Sequence, residues 1–266
     1  MSIAYSLSRT FRLLCGKMRP YTTAIIVAAG RGSRMSASEL PKQFMTLDGK
    51  PVLAHTLSAF EESRKIDEII VVTQEKHAPL VREIAKKYGI KKLRRIVRGG
   101  EERSESVLNG MSAVKEKTGF VAIHDAARPL ITPAQIDEVV SIAYSYSAAS
   151  AGSRVKDTVK RVDKNGFILE TPDRAQLWNA STPQVFLAAM YRAAAISAAK
   201  DGFACTDDNM IIERIGQRVK MVDVGYENIK LTTDSDIAVM EAIIQKRKRE
   251  ENAKKATKNL KGRAFR

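Results

Sequence analysis

The chain has 266 residues, a formal net charge of +15 and 44% hydrophobic residues. That length suits one α/β domain with a sizeable core, no apolar run approaches a membrane span, and the two cysteines, Cys15 and Cys205, form neither a metal spacing nor a disulfide framework. The charge is concentrated at the ends: residues 1–24 hold four Lys/Arg and no acid, and residues 245–266 hold ten Lys/Arg against Glu250 and Glu251, leaving about +3 for the body, so a basic nucleic-acid-binding protein is only a remote alternative.

Residues 1–17 combine Ser, Arg and apolar side chains without an acid, the composition of a transit peptide, although Arg9 and Arg12 interrupt the apolar content. The expectation is a basic, unstructured extension over 1–21, or an extension preceding a natural start at Met18. A cytoplasmic location follows from the reducing-compartment reading of the cysteines, with a plastid-type organelle as the alternative if the extension is a transit peptide. A domain over 22–249 and a basic tail over 250–266 complete the expected organisation.

Residues 24–29 form a short apolar, β-branched run that stops at Gly30 and Gly32, as a buried parallel strand would. Two cations follow, Arg34 and Lys42, and Pro51 is expected in the first position of a helix running to Phe60. A strand entering a glycine loop with paired cations points to a polyphosphate site. It is neither a Walker A loop, since no Gly-Lys-Ser/Thr occurs, nor a dinucleotide fingerprint, since position 35 is Met.

Further strands are expected at 67–73, 93–97 and 120–124, and helices at 78–88, from about Val107, and from Pro133 to about Tyr144. This alternation predicts an α/β fold with a mostly parallel, twisted sheet flanked by helices. Residues 150–171 depart from it. Two short strands around Asp163-Lys164-Asn165-Gly166 predict a β-hairpin arm, spanning about 153–175, that projects from the sheet. Such a hairpin is marginal alone, which implies a partner subunit as its support. A short strand at 184–186, a helix at 187–199, a helix at 207–215 capped by Thr206, a strand at 220–224 and a last helix from Ser235 to about Arg249 follow, with order fading beyond.

Ligands of open α/β sheets bind beyond the carboxyl ends of the strands. The 28–34 loop, Gly99 to Ser106, the Asp125 to Arg128 corner and Lys230 should therefore converge on one crevice. Arg34, Lys42, Arg128 and Lys230 around the single carboxylate of Asp125 suit a nucleoside triphosphate with Mg²⁺ or another divalent cation.

The chain also resembles the 2-C-methyl-D-erythritol 4-phosphate cytidylyltransferase family. The resemblance rests on A-A-G-R-G-S-R-M (28–35), P-K-Q (41–43), G-G-E-E-R-S-E-S-V (99–107), H-D-A-A-R-P (124–129), D-T-V-K (157–160), L-W-N-A-S-T-P-Q (177–184), T-D-D (206–208) and E-N-I-K-L-T (227–232), in the family's order over roughly residues 22–245. Glu101 stands where the family commonly has Asp, and Ala175-Gln176 where it often has Asn/Ser-Gly.

The resemblance implies a Rossmann-like nucleotidyltransferase fold and transfer of CMP from CTP to methylerythritol phosphate. Arg34, Lys42 and Lys230 would be catalytic. Ala28, Ala29, Gly30, Gly32, Gly100, Glu101, Ser106 and Ala126 would bind CTP, and Asp125 would hold the metal. Arg128, Thr158, Arg174, Thr182, Thr206 and Lys230 would bind the polyol phosphate, with Thr158 and Arg174 on an arm reaching the neighbour in a homodimer. His124 and Trp178 would be packing residues. Ribitol-5-phosphate cytidylyltransferases, or another sugar-phosphate nucleotidyltransferase, are the alternative. No fused synthase domain is expected in this chain.

Overall fold

The structure, a computed structural model, describes residues 19–30 and 41–264, with side chains to Lys255. Residues 1–18 of the expected extension, Gly32 and Arg34 therefore lie outside the described residues, whereas residues 19–21, expected to belong to the extension, are tied to the domain: Arg19 donates to Asp67 and the Tyr21 hydroxyl to Glu68. No helix of the described residues is long and apolar enough to cross a membrane.

The elements follow in chain order. β1 is Thr22–Val27, β2 Thr46–Leu47 and β3 Lys50–Pro51; α1 is Val52–Glu62, β4 Glu68–Thr73 and α2 Ala78–Lys87. β5 is Leu93–Arg98, α3 Arg103–Ser112, β6 Phe120–Asp125 and α4 Pro133–Tyr146. β7 is Ala148–Arg154, β8 Arg161–Val162, β9 Ile168–Glu170 and β10 Trp178–Leu187. α5 is Ala188–Lys200, α6 Asp208–Arg214, β11 Lys220–Asp223 and α7 Ser235–Ala264.

Seven strands form one sheet in the order β11-β7-β10-β6-β1-β4-β5. All its pairings are parallel except those of β10, which is antiparallel to β6 and to β7. The apolar runs of β1, β4 and β6 are continuous because both faces are covered. Ala24, Ile26, Ile69, Val71 and Ala122 belong to one core, and Ile25, Ile70, Val72, Val121 and Ile123 to the core on the opposite face. Burying each large side chain contributes roughly 1.5–3 kcal/mol.

A third, smaller cluster joins Leu47, Val52, Ala127, Leu130, Leu231 and Met240. It packs three segments together that sequence separates: the turn after Lys42, the corner after Asp125 and the loop carrying Lys230. α7 closes over this cluster. Its Lys248 and Gln245 side chains donate to Asp48, and Arg247 donates to Glu227 and to the Leu130 carbonyl.

Side-chain caps open α4 and α6. α4 opens at the expected Pro133, with a capping box in which Thr132 accepts from the Gln135 amide and the Gln135 side chain accepts from the Thr132 amide. Pro51, expected in the first helical turn, instead stands just before α1 in extended conformation and pairs with Thr46. Thr206, expected to cap α6, does not; Asp207 accepts from the Met210 amide.

The sequence pattern misses β7 and the first half of β10. β7 reads A-A-S-A-G-S-R, without a β-branched or aromatic residue, yet all but Arg154 are buried. Small residues are needed because neighbours press on it. A Cβ on Gly152 would lie 2.5 Å from Met221 Cε and 3.0 Å from the Asn179 carbonyl. Tertiary packing here overrides β-propensity.

The expected hairpin is present as β8 and β9, a two-stranded sheet of its own. Its turn is held by Asp163, whose carboxylate accepts from the Asn165 and Phe167 amides. α7 corrects another expectation. Instead of fading after Arg249, the helix continues to Ala264. Since the side-chain bonds from Gln245, Lys246, Arg247 and Lys248 tie α7 to the body, removing residues 1–17 and 250–266, which leaves these in place, is expected to leave turnover unchanged. Far-UV circular dichroism should lose the share due to half of α7's 30 residues.

Candidate active site

β4 and β6 flank β1 on opposite sides, so the strand order reverses there, and this is where an open α/β sheet forms a crevice. The cavity is lined by Val27 to Gly30, Lys42, Gln43, Gly100 to Arg103, Ser106, Asp125 to Ala127, Lys230 and Thr232. All four segments singled out in the sequence contribute to it.

The backbone after β1 is held at Ala28 and Ala29. Ala28 donates its amide to the Val72 carbonyl at 2.7 Å, and its carbonyl accepts from Gln43 Nε2 at 2.6 Å and Thr73 Oγ1 at 3.3 Å. Gln74 Nε2 donates to the Ala29 carbonyl at 3.3 Å. The Gln of P-K-Q thus ties the turn bearing Lys42 to the first loop.

On the opposite wall Gly99 must be glycine because the two loops touch. A Cβ there would lie 2.3 Å from Ala29 Cβ and 3.1 Å from Ser106 Oγ. Ser106 is buried and accepts from the Gly100 amide at 3.0 Å, while the Glu101 amide donates to Glu105 at 2.8 Å. Gly99→Ala is expected to push these loops apart, costing about 1–3 kcal/mol of stability and raising KM for the nucleotide. Denaturant melts and steady-state kinetics check both.

Asp125 ends β6 and is 8% exposed. Lys230 Nζ donates to its Oδ2 at 2.7 Å, Arg103 Nε donates to its Oδ1 at 3.1 Å, and Arg128 Nε lies 3.9 Å from Oδ2. Burial opposes its ionisation, but Arg103 and Lys230 outweigh burial and hold the carboxyl well below the usual carboxylate range. Behind it the Asp125 amide donates to Thr182 Oγ1 at 3.1 Å, and Thr182 Oγ1 lies 2.9 Å from His124 Nδ1. His124 is fully buried, and its Nε2 is 3.2 Å from the Arg128 carbonyl. Burial lowers its pKa to about 4, which keeps it neutral at pH 7, and both ring nitrogens are engaged within the fold.

The residues fit a divalent cation in the manner of Mg²⁺, which takes one or two carboxylates and completes its shell from substrate phosphates and water. Asp125 supplies an ionised carboxylate at the cavity wall, with Glu101 and Glu102 also lining it.

A family model described as IspD, 2-C-methyl-D-erythritol 4-phosphate cytidylyltransferase, matches residues 22–246. The chain belongs to this family. It is 46% identical over 225 residues to the 2-C-methyl-D-erythritol 4-phosphate cytidylyltransferase of Caldanaerobacter subterraneus subsp. tengcongensis, covering 84% of this chain and 99% of that one. Among solved structures it is similar to the 4-diphosphocytidyl-2C-methyl-D-erythritol synthase of Anaerococcus prevotii, with a TM-score of 0.77 at 30% identity, covering 85% of this chain and 96% of that one. The 2-C-methyl-D-erythritol 4-phosphate cytidylyltransferase of Francisella tularensis follows at a TM-score of 0.68 and 28% identity, with 83% and 98% covered. The chain is thus an enzyme, a cytidylyltransferase with the Rossmann-like nucleotidyltransferase fold.

Of the family residues expected from sequence, Ala28, Ala29, Gly30, Lys42, Gly100, Glu101, Ser106, Asp125, Ala126 and Lys230 meet at the cavity. Five expected substrate-binding residues do not line it within this chain. Arg128 stands behind Asp125 rather than on the cavity wall, its Nη1 donating to the Asn228 carbonyl at 2.8 Å. Thr182 is buried behind Asp125, its hydroxyl engaged as above. Thr206 is exposed, with its hydroxyl 3.3 Å from Met210 Sδ. Arg174 is exposed at the foot of the arm and donates to the Lys156 carbonyl at 3.0 Å. Thr158, on the arm, is also exposed and does not line the cavity.

The sequence pattern does not single out Arg103, Gln43 or Thr232. Arg103 was legible only as one letter of G-G-E-E-R-S-E-S-V; nothing local says that its partners would be Asp125 and an aspartate far along the chain.

Proposed function

We propose that this cavity binds CTP and the phosphate of 2-C-methyl-D-erythritol 4-phosphate, and that the chain transfers CMP between them, releasing pyrophosphate. The observation that carries this reading is the meeting of the β1 loop, the 100–106 loop, Asp125 and Lys230 in one cavity. The backbone of Ala28, Ala29, Gly100 and Glu101, with Ser106 and Ala126, holds the nucleotide, joined by Gly30 and by Gly32 of the undescribed segment. Lys42, with Arg34 of the same segment, holds the triphosphate and faces the charge that develops at the α-phosphorus. Lys230 stabilises the same charge and orients the incoming phosphate. Asp125 would hold a divalent cation, Mg²⁺ by preference, which when bound neutralises charge on the phosphates.

No general base is required. A phosphate monoester, with a second pKa of about 6, is already largely dianionic at neutral pH. Alignment for in-line displacement and fixed positive charge are what the protein supplies.

The arm supports a homodimer. Val162, Phe167, Ile168 and Leu169 are 49%, 72%, 61% and 54% exposed, more apolar surface than a lone hairpin keeps in water. A symmetric exchange of arms buries it and brings Thr158 and Arg174 to the neighbour's cavity, with Arg128, Thr182 and Thr206 completing the polyol-phosphate side after rearrangement. Purified protein should release pyrophosphate with CTP, Mg²⁺ and 2-C-methyl-D-erythritol 4-phosphate. Faster turnover of ribitol 5-phosphate or of another sugar phosphate would overturn the substrate assignment.

A further inference from the structure

Arg103 of the glycine-rich loop and Asp208 of T-D-D have no role in the reaction described so far, and the fold brings them together. Arg103 Nη1 donates to Asp208 Oδ2 at 2.8 Å, while Nε of the same guanidinium reaches Asp125 Oδ1. Asp208 is 1% exposed and does not line the cavity. Its other carboxylate oxygen accepts from the Tyr191 hydroxyl, and its amide donates to Gln184 Oε1 at 2.9 Å. Tyr191, also 1% exposed, stacks on Phe186 with ring centroids 5.1 Å apart. Asp208 is therefore a fixed point of the core, and Arg103 connects that point to the wall of the cavity.

A carboxylate buried this deeply needs a cation, and the planar guanidinium can serve two carboxylates at defined angles where an ammonium cannot. Both oxygens of Asp125 are then held, Oδ1 by Arg103 and Oδ2 by Lys230. We propose that Arg103 is a positioning residue, clamped by Asp208, that sets the orientation of the Asp125 carboxylate. The proposal rests on the cytidylyl-transfer reading for its kinetic assay only.

The experiment compares Arg103→Gln, Arg103→Lys, Asp208→Asn and the Arg103→Gln/Asp208→Asn double variant, with Arg214→Gln in the surface pair to Asp201 as control. Arg103→Gln and Asp208→Asn should each lower kcat by about 10–100-fold, as loss of an orienting partner does, with KM for CTP changed by less than about threefold. The double variant should be no slower than the worse single, and Arg103→Lys should not restore the rate. In ¹⁵N-labelled protein without substrate, the Arg103 Nε–H resonance should exchange slowly in the wild type and be lost in Asp208→Asn.

Multiplicative losses, rescue by lysine, or a slow Nε–H resonance that survives Asp208→Asn would overturn the proposal. Absence of wild-type turnover would refute the substrate reading alone, and the resonance then decides the role of Arg103. Should Asp208→Asn fail to fold by circular dichroism, Arg103→Lys decides it, because that side chain is 29% exposed and can be replaced without opening the core.

Discussion

Lys42→Ala is expected to lose about 10²–10³-fold in kcat, as does removal of one preorganised charge donor, with KM for CTP moving much less. The reason lies in how the lysine is held. It begins the short 3-10 turn Lys42–Phe44, closed by the Phe44 amide on the Pro41 carbonyl at 2.8 Å, and its neighbour Gln43 anchors that turn to Ala28. The backbone that carries its charge is thus fixed at the wall of the cavity before substrate arrives, so little backbone reorganisation is needed as negative charge builds at the phosphorus. A residue that only binds the ground state would give the opposite split. Steady-state kinetics with CTP varied decide it: near-normal kcat with a raised KM would assign Lys42 to binding alone. Arg34→Ala is expected to behave in the same way.

Activity should reappear when two inactive variants, Lys42→Ala and Thr158→Ala, are mixed after reversible dissociation. Lys42 lines the cavity, whereas Thr158 is exposed on the arm, away from it in the same chain. If the arm completes the neighbour's site, a mixed dimer carries both lesions in one site and neither in the other. Up to half of the mixed dimer's sites then regain full turnover. If each site is built from one chain, every site keeps a lesion and mixing restores nothing. Light scattering that shows a monomer at working concentration would end the dimer proposal outright. The base of the arm is suited to a fixed projection: Lys156 Nζ sits 3.5 Å from the Tyr226 ring centroid, the Tyr226 hydroxyl donates to the Arg154 carbonyl at 2.8 Å, and Arg154 lies over Trp178.

The sequence by itself determined the alternating strands and helices, the hairpin at Asn165-Gly166 and four of the segments that build the site. Each rests on local physics. Continuous apolar runs such as Ile69 to Val72 mark strands covered on both faces, and Thr132 to Gln135 carries its own capping box. Glycine loops directly after strands fall at the carboxyl edge of a parallel sheet wherever the chain goes next.

Only the tertiary structure decided the rest, because the responsible forces act between residues far apart in sequence. β7 is a strand although its residues before Arg154 are all Ala, Ser or Gly, since the space between β10 and β11 admits nothing larger at Gly152. Arg128 and Thr182 belong to motifs that suggest ligand contact, and only the fold shows their polar groups bonded, within the chain, to the Asn228 carbonyl and to Asp125 and His124. Arg103 becomes legible only once the fold carries Asp208 to within 2.8 Å of it across 105 residues. A buried charge must find its counter-charge wherever packing brings one, and local sequence spacing does not reveal where that will be.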